Sequence, residues 1–188
     1  MTAFDYLTVL VSIVVGLAIA NVLARLAAVI TARERVDFYW PPVAWAIWIF
    51  FIAVQHWWAQ WSVRHTREWN FATFWLEMLF PVLLFLLSAL VLPDRDEHGK
   101  LDLGQWYFRN RAWFLAVLFC LLVVSLAEEL VRTGRIASPV NLGFQLFFGA
   151  LCIVAFLSKS RRAQEWITGV AMVSTFAYVA VLFLYLPA

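Results

Sequence analysis

The sequence predicts an all-α protein: a bundle of six transmembrane helices that forms a single membrane domain over residues 1–188. Three observations predict it. Apolar residues make up 64% of the chain and charged residues 14%, against roughly 45–50% and about 25% in soluble domains. Six apolar runs fill the chain, each about 20 residues long, the length that crosses a hydrocarbon core about 30 Å thick. Prolines and amphipathic aromatic residues gather where the runs end. The mean hydropathy is +0.82, and no segment has the length or polarity of a separate soluble domain.

The first run covers residues 6–30. It lacks a positively charged leader and a cleavage site, so it is expected to remain as the first helix. Ser12, Gly16, Ala20 and Ala24 recur every four residues in it, a ridge of small side chains suited to close helix packing. The second helix is expected over 42–61, opened by Pro41 and Pro42, whose missing N–H groups cost nothing in a first turn. The third covers 71–92 and is closed by Pro93. The fourth covers 112–131. Between them lies the longest connection, with acidic residues Asp94, Asp96, Glu97 and Asp102, then an amphipathic stretch from Leu101 to Phe108 that reads as a short interfacial helix or a partner-docking segment. The fifth helix, preceded by Pro139, covers 140–157, and the sixth covers 166–186. Tyr39, Trp40, Trp61, Trp69, Trp106, Trp113, Trp166 and Tyr185 lie near the run ends, where indole and phenol rings prefer the headgroup layer.

The basic residues set an orientation. Arg64, Arg67, Arg132 and Arg135 fall on the side of the termini; Arg33, Arg35, Arg95, Lys100, Arg109, Arg111, Lys159, Arg161 and Arg162 fall on the other. Cytoplasmic loops carry the excess of Lys and Arg. Both termini are therefore expected outside, which in a bacterium means an inner-membrane protein with periplasmic termini. A three-plus-three division would give halves of opposite orientation, as in inverted-repeat transporters. The one internal echo is Gly16-Leu17-Ala18 against Ser125-Leu126-Ala127.

Polar residues inside the runs are expensive and therefore informative. Gln55, His56 and Gln60 fall in the outer half of the second helix, Glu77 about two turns into the third, Ser125, Glu128 and Glu129 near the outer end of the fourth, and Asn141 and Gln145 at the start of the fifth. If these residues converge, they build a polar pocket open to the outer face. Pro81 lies four residues after Glu77 and removes the donor that the Glu77 carbonyl would normally receive. A carboxylate beside an unpaired carbonyl suits an ion or substrate site; the structural alternative is a kink with Glu77 paired to His56 or a glutamine. His56 could relay protons, ligate a metal with Glu77 and Glu128, or only tie its helix to a neighbour. Glu128 and Glu129 point about 100° apart, so one is expected to face the pocket and the other the interface, where Arg132 is four residues from Glu128. Asn21 and Arg25 lie in the inner half of the first helix, as an inner gate closing on Asp94 or Glu97, or with Arg25 snorkelling to the headgroups. Trp45, Trp48, Trp57 and Trp58 form a candidate aromatic pocket. Ser174, Thr175 and Tyr178 could line a path through the sixth helix, although such hydroxyls commonly bond their own backbone.

The function expected from this pattern is a transporter or channel for a proton or small cation. The alternatives are a membrane metal or cofactor site, with or without enzymatic activity, and an aromatic pocket for an organic cation, a quinone or a lipid. The expected partners are the bilayer, the transported ion and further copies of the chain. Several classes find no support. The net charge of +2 is small and dispersed, which gives no footprint for nucleic acid. Cys120 and Cys152 sit inside apolar runs, without a disulfide framework. A phosphate loop, a nucleophile elbow, a C-x-x-C pair, an H-E-x-x-H pair, a helix-borne lysine and an arginine ladder are all missing, and no cofactor is specified.

Overall fold

The computed structural model describes residues 3–59, 71–94, 101–134 and 138–182. They form six helices: α1 (Ala3–Thr31), α2 (Trp40–Ala59), α3 (Phe71–Val91), α4 (Leu103–Thr133), α5 (Pro139–Leu157) and α6 (Arg161–Leu182). Five of them, α1 to α5, are long and apolar enough to cross a membrane, which marks the chain as an integral membrane protein. The described part of α6 carries Arg161, Arg162 and Glu165 in its first turns and falls outside that group.

The helices close into a ring in the order α1, α3, α4, α5, α6, α2, with α2 also reaching α3 and α4. The core follows from helical periodicity. On α1 the buried residues include Val11, Val15, Ala18, Val22, Ala28 and Val29; on α2 they include Trp45, Ile49, Ile52 and His56; on α3, Leu84, Leu87 and Val91. The small-residue ridge of α1 does not take part. Gly16, Ala20 and Ala24 are exposed, and a Cβ on Gly16 would meet nothing within 4 Å. The larger Val residues on the opposite face bury more apolar surface per turn, and that face is the one turned to α2 and α3.

Two helix starts lie earlier than expected. The Leu101–Phe108 stretch is not a separate interfacial helix: from Leu103 it forms the first turns of α4, because Asp102 caps that helix by accepting from the Gln105 N–H at 2.8 Å and no proline interrupts Arg109-Asn110-Arg111. At about 1.5 Å per residue, the 31 residues of α4 exceed the hydrocarbon core, so α4 projects beyond it. Likewise α6 begins at Arg161, where Arg161 and Glu165 pair one turn apart at 3.7 Å. Leu101 and Asp102 form a two-residue strand, β2, parallel to β1 (Val36–Asp37) from the α1–α2 connection. At the other end of α4, Gly134 takes a left-handed conformation, φ 64°, and its N–H closes the helix on the Leu130 carbonyl. Ser138 then caps α5, with Pro139 in its first turn.

The bundle thus has a basic end, where Arg33, Arg35, Arg109, Arg111, Lys159, Arg161 and Arg162 meet the β1–β2 pair, and a far end, at Ala59, Phe71, Gly134 and Ser138. The two halves pack differently. α1 lies along α3, whereas no extensive contact joins α4 and α6 among the described residues, and a three-plus-three division into inverted halves is not confirmed.

Candidate functional site

A cavity of about 80 Å³ lies between α2, α3, α4, α5 and α6 in the far half of the bundle. Its polar lining is Gln55, Ser125, Gln145, Thr175 and Tyr178; its apolar lining includes Trp48, Phe80, Phe144 and Phe148. The polar residues come from α2 (Gln55), α4 (Ser125), α5 (Gln145) and α6 (Thr175 and Tyr178). Gln145 is the buried position of a stripe continued by Phe148 and Cys152 on α5. Thr175 and Tyr178 continue the stripe that holds Gln164, Thr168 and Ala171 on α6.

Asn141 organises the polar side. Its amide nitrogen donates to Glu129 Oε2. Its Oδ1 accepts from the Tyr178 hydroxyl at 3.0 Å and from Gln145 Nε2 at 3.3 Å. Gln145 Nε2 also lies 3.5 Å from Ser125 Oγ. The Gln145 carbonyl oxygen, by contrast, is buried and receives no hydrogen bond among the described residues. An acceptor in that state costs about 1–3 kcal/mol unless a donor or cation reaches it.

Of the residues expected to converge, Gln55, Gln145 and Asn141 do meet here, joined by Glu129 rather than Glu128 as the carboxylate bonded to Asn141. His56 and Glu77 are both buried but are not part of the lining. The His56 ring stacks on Phe80, with centroids 4.3 Å apart and planes 10° apart. Phe80 in turn lines the cavity, so one aromatic ring separates His56 from it. Pro81 is buried within a continuous α3. Gln60 lies outside the described residues.

Two expectations are corrected. The four tryptophans of α2 do not make one pocket. Trp45 and Trp48 are buried, in edge contact at 5.5 Å, and their indole N–H groups donate to Thr168 (3.1 Å) and Thr175 (2.7 Å). Trp57 and Trp58 are exposed on the outside, because nine residues from Trp48 to Trp57 amount to half a turn beyond two full turns. Nor do His56, Glu77 and Glu128 form a metal centre: among the described residues no three His, Cys, Asp or Glu side chains are grouped to hold an ion. The His56 imidazole packs face to face on Phe80.

At the basic end, the buried polar side chains of α4 and α6 are paired. Gln164 is fully buried; its Oε1 accepts from the Tyr107 hydroxyl at 2.9 Å and its Nε2 donates to the carbonyls of Ala155 (2.7 Å) and Ser158 (2.8 Å). The Arg111 guanidinium donates to the Ser158 and Phe156 carbonyls at the C-terminus of α5, where a cation complements the helix dipole. Tyr39 donates to the Arg161 carbonyl at 3.3 Å under the Arg161 guanidinium. Burial, followed by the Glu165 carboxylate, pushes its phenol up to about 12, against an opposing pull from Arg161; it therefore stays a donor.

Arg25 occupies a third position. It donates through Nε to Asn21 Oδ1 at 3.2 Å and through Nη1 to the Leu92 carbonyl just past α3, while Asn21 donates to Ser88 Oγ at 2.8 Å. Asp94 is 4.0 Å from Nη2; Glu97 lies outside the described residues. Arg25 thus caps the C-terminus of α3. The recess beside it shares no residue with the cavity.

Sequence reasoning missed Gln164, Thr168 and Tyr107. The signal was present: Gln164, Thr168, Thr175 and Tyr178 are spaced four, seven and three apart, one polar face of a helix. No family model matches the chain, and neither a curated protein nor a solved structure is detectably similar to it.

Proposed function

We propose that this protein is a small membrane transporter or channel for a proton or small cation, with its binding site in the far-half cavity. The observation that carries the reading is the buried Gln145 carbonyl without a donor, beside an Asn141 amide bonded to the Glu129 carboxylate. A buried acceptor and a carboxylate together favour a ligand that brings protons or positive charge. The volume of about 80 Å³ accommodates a small ion with a few waters, each needing at least about 10–15 Å³. The chain would cross the membrane six times, with α6 as the last span. The Lys/Arg bias favours a cytoplasmic basic end, so that the cavity is reached from outside, in a bacterium the periplasm.

The test is proton and cation flux in proteoliposomes, wild type beside Gln145→Leu and Glu77→Gln. Flux that falls at least about tenfold in Gln145→Leu, the loss of one good polar contact, supports a site in the cavity. Loss confined to Glu77→Gln moves the site to the His56 side of Phe80. Undiminished flux in both variants, or none in the wild type, defeats the proposal.

A further inference from the structure

We infer a second site, independent of the transport reading: the groove between α4 and α5 near the basic end binds one anionic phospholipid, with an acyl chain in the groove and the phosphate at Arg111 and Lys159. The groove has a volume of about 240 Å³. Leu115 and Cys152 are its buried floor, and Ala116, Phe119, Ile153 and Phe156 are its exposed sides. The lining carries no hydroxyl, amide or charge, so it suits a hydrocarbon chain. At 1.5 Å per residue, the α5 wall from Cys152 to Leu157 is about 7–8 Å long, enough for the upper part of one chain.

The charge at the end of the groove points to the headgroup. Arg111, Leu115 and Phe119 follow one another at four-residue steps, on one face of α4, so Arg111 stands one turn from the groove floor. It is only 9% exposed. It spends two of its five N–H donors on the Phe156 and Ser158 carbonyls. Among the described residues neither Arg111 nor Lys159 has a carboxylate partner; Glu165 pairs with Arg161, and Asp102 caps α4. Buried charges are ordinarily paired, and the C-terminus of α5 supplies the equivalent of only about half a negative charge. Lys159 directly follows Ser158 and is exposed, so a second cation flanks the peptide that Arg111 bonds. Both cations stand where α5 ends, the level at which headgroups lie. An anion that carries an apolar chain answers both features at once. A choline or ethanolamine headgroup brings its own cation and gains less there; free phosphate leaves the groove uncovered.

The experiment is lipid binding to the delipidated protein in detergent, read as lipid adducts in native mass spectrometry and as the rise in melting temperature. Dioleoyl phosphatidylglycerol is compared with phosphatidylcholine and phosphatidylethanolamine of the same chains. The glycerol lipid is expected to bind at least about fivefold more tightly than either, the worth of one basic residue facing an anionic headgroup. Lys159→Gln is expected to remove at least about half of that preference. Arg33→Gln, in the α1–α2 connection on the opposite side of the helix ring, should leave it unchanged. Ala116→Phe fills the groove from the exposed surface and should weaken all three lipids alike. Equal binding of the three lipids overturns the inference, as does binding that Ala116→Phe leaves intact. So does a preference that Arg33→Gln lowers as much as Lys159→Gln, the mark of diffuse attraction to the basic end. A groove that instead holds a second copy of the chain, seen as a dimer that Ala116→Phe dissociates, overturns it too.

Discussion

Two buried glutamines, one at each end of the bundle, have opposite surroundings. Gln164 at the basic end spends every polar atom: the Tyr107 hydroxyl on its oxygen, two carbonyls on its nitrogen, all within 3 Å. Gln145 in the far half makes only long contacts through its nitrogen, at 3.3 and 3.5 Å, and none through its oxygen. The first arrangement locks α4, α5 and α6 together; the second leaves binding capacity in place beside a cavity. Buried polar groups are costly when half satisfied and rigidifying when fully satisfied. The contrast therefore separates an end whose buried amide is fully paired from one whose buried amide keeps an unmet acceptor, where the proposed ligand would bind, and it can be broken by experiment.

The largest effect is expected at the basic end. Gln164→Leu removes three hydrogen bonds and leaves the Tyr107 hydroxyl and the Ala155 and Ser158 carbonyls without them, although Ser158 keeps Arg111. A loss of about 2–4 kcal/mol follows from the unsatisfied groups, measured by unfolding in mild detergent. Next comes Gln145→Leu, a similar change in similar burial. It removes an acceptor that was already unsatisfied and fills space beside Phe144 and Phe148, so stability should change by less than about 1 kcal/mol, while flux falls about tenfold or more. If Gln145→Leu proves as destabilising as Gln164→Leu, the two ends do not differ in kind and the cavity is a packing defect.

Much of the frame was legible in the sequence. Length and hydropathy located the helices, because a span must satisfy its own backbone whatever its neighbours do. The starts of α4 and α6 were misplaced because charged residues at Arg109, Arg111, Arg161 and Arg162 end an apolar run without ending a helix. The site was legible by depth and not by rotation. Gln55, Asn141 and Gln145 were marked as polar groups in the outer half, but a helix that is apolar nearly all round gives no direction to its polar residues. Hence Trp57 and Trp58 were grouped with Trp45 and Trp48, and the ridge on α1 with its buried face. On α6 the direction could be read, since Gln164, Thr168 and Thr175 lie on one stripe. That stripe runs from the paired network towards the cavity.

The smallest effect tests where along that stripe the change occurs. Two tryptophan–threonine pairs bracket it, Trp45 with Thr168 at 3.1 Å and Trp48 with Thr175 at 2.7 Å, both buried. Hydrogen bonds between membrane helices average about 0.6 kcal/mol in double-mutant cycles. On distance alone, the Trp48 pair should couple more strongly. But Trp48 and Thr175 line the cavity and Trp45 and Thr168 do not, so water can replace either partner of the Trp48 pair when the other is removed, while the Trp45 pair has no such substitute. Cycles built from Trp→Phe and Thr→Val should therefore give the larger coupling to Trp45–Thr168, by a few tenths of a kcal/mol. The reverse order would mean that the cavity is dry at its Trp48 wall, and that the region proposed to receive the ligand is confined to Gln145, Asn141 and Tyr178 nearer the far end.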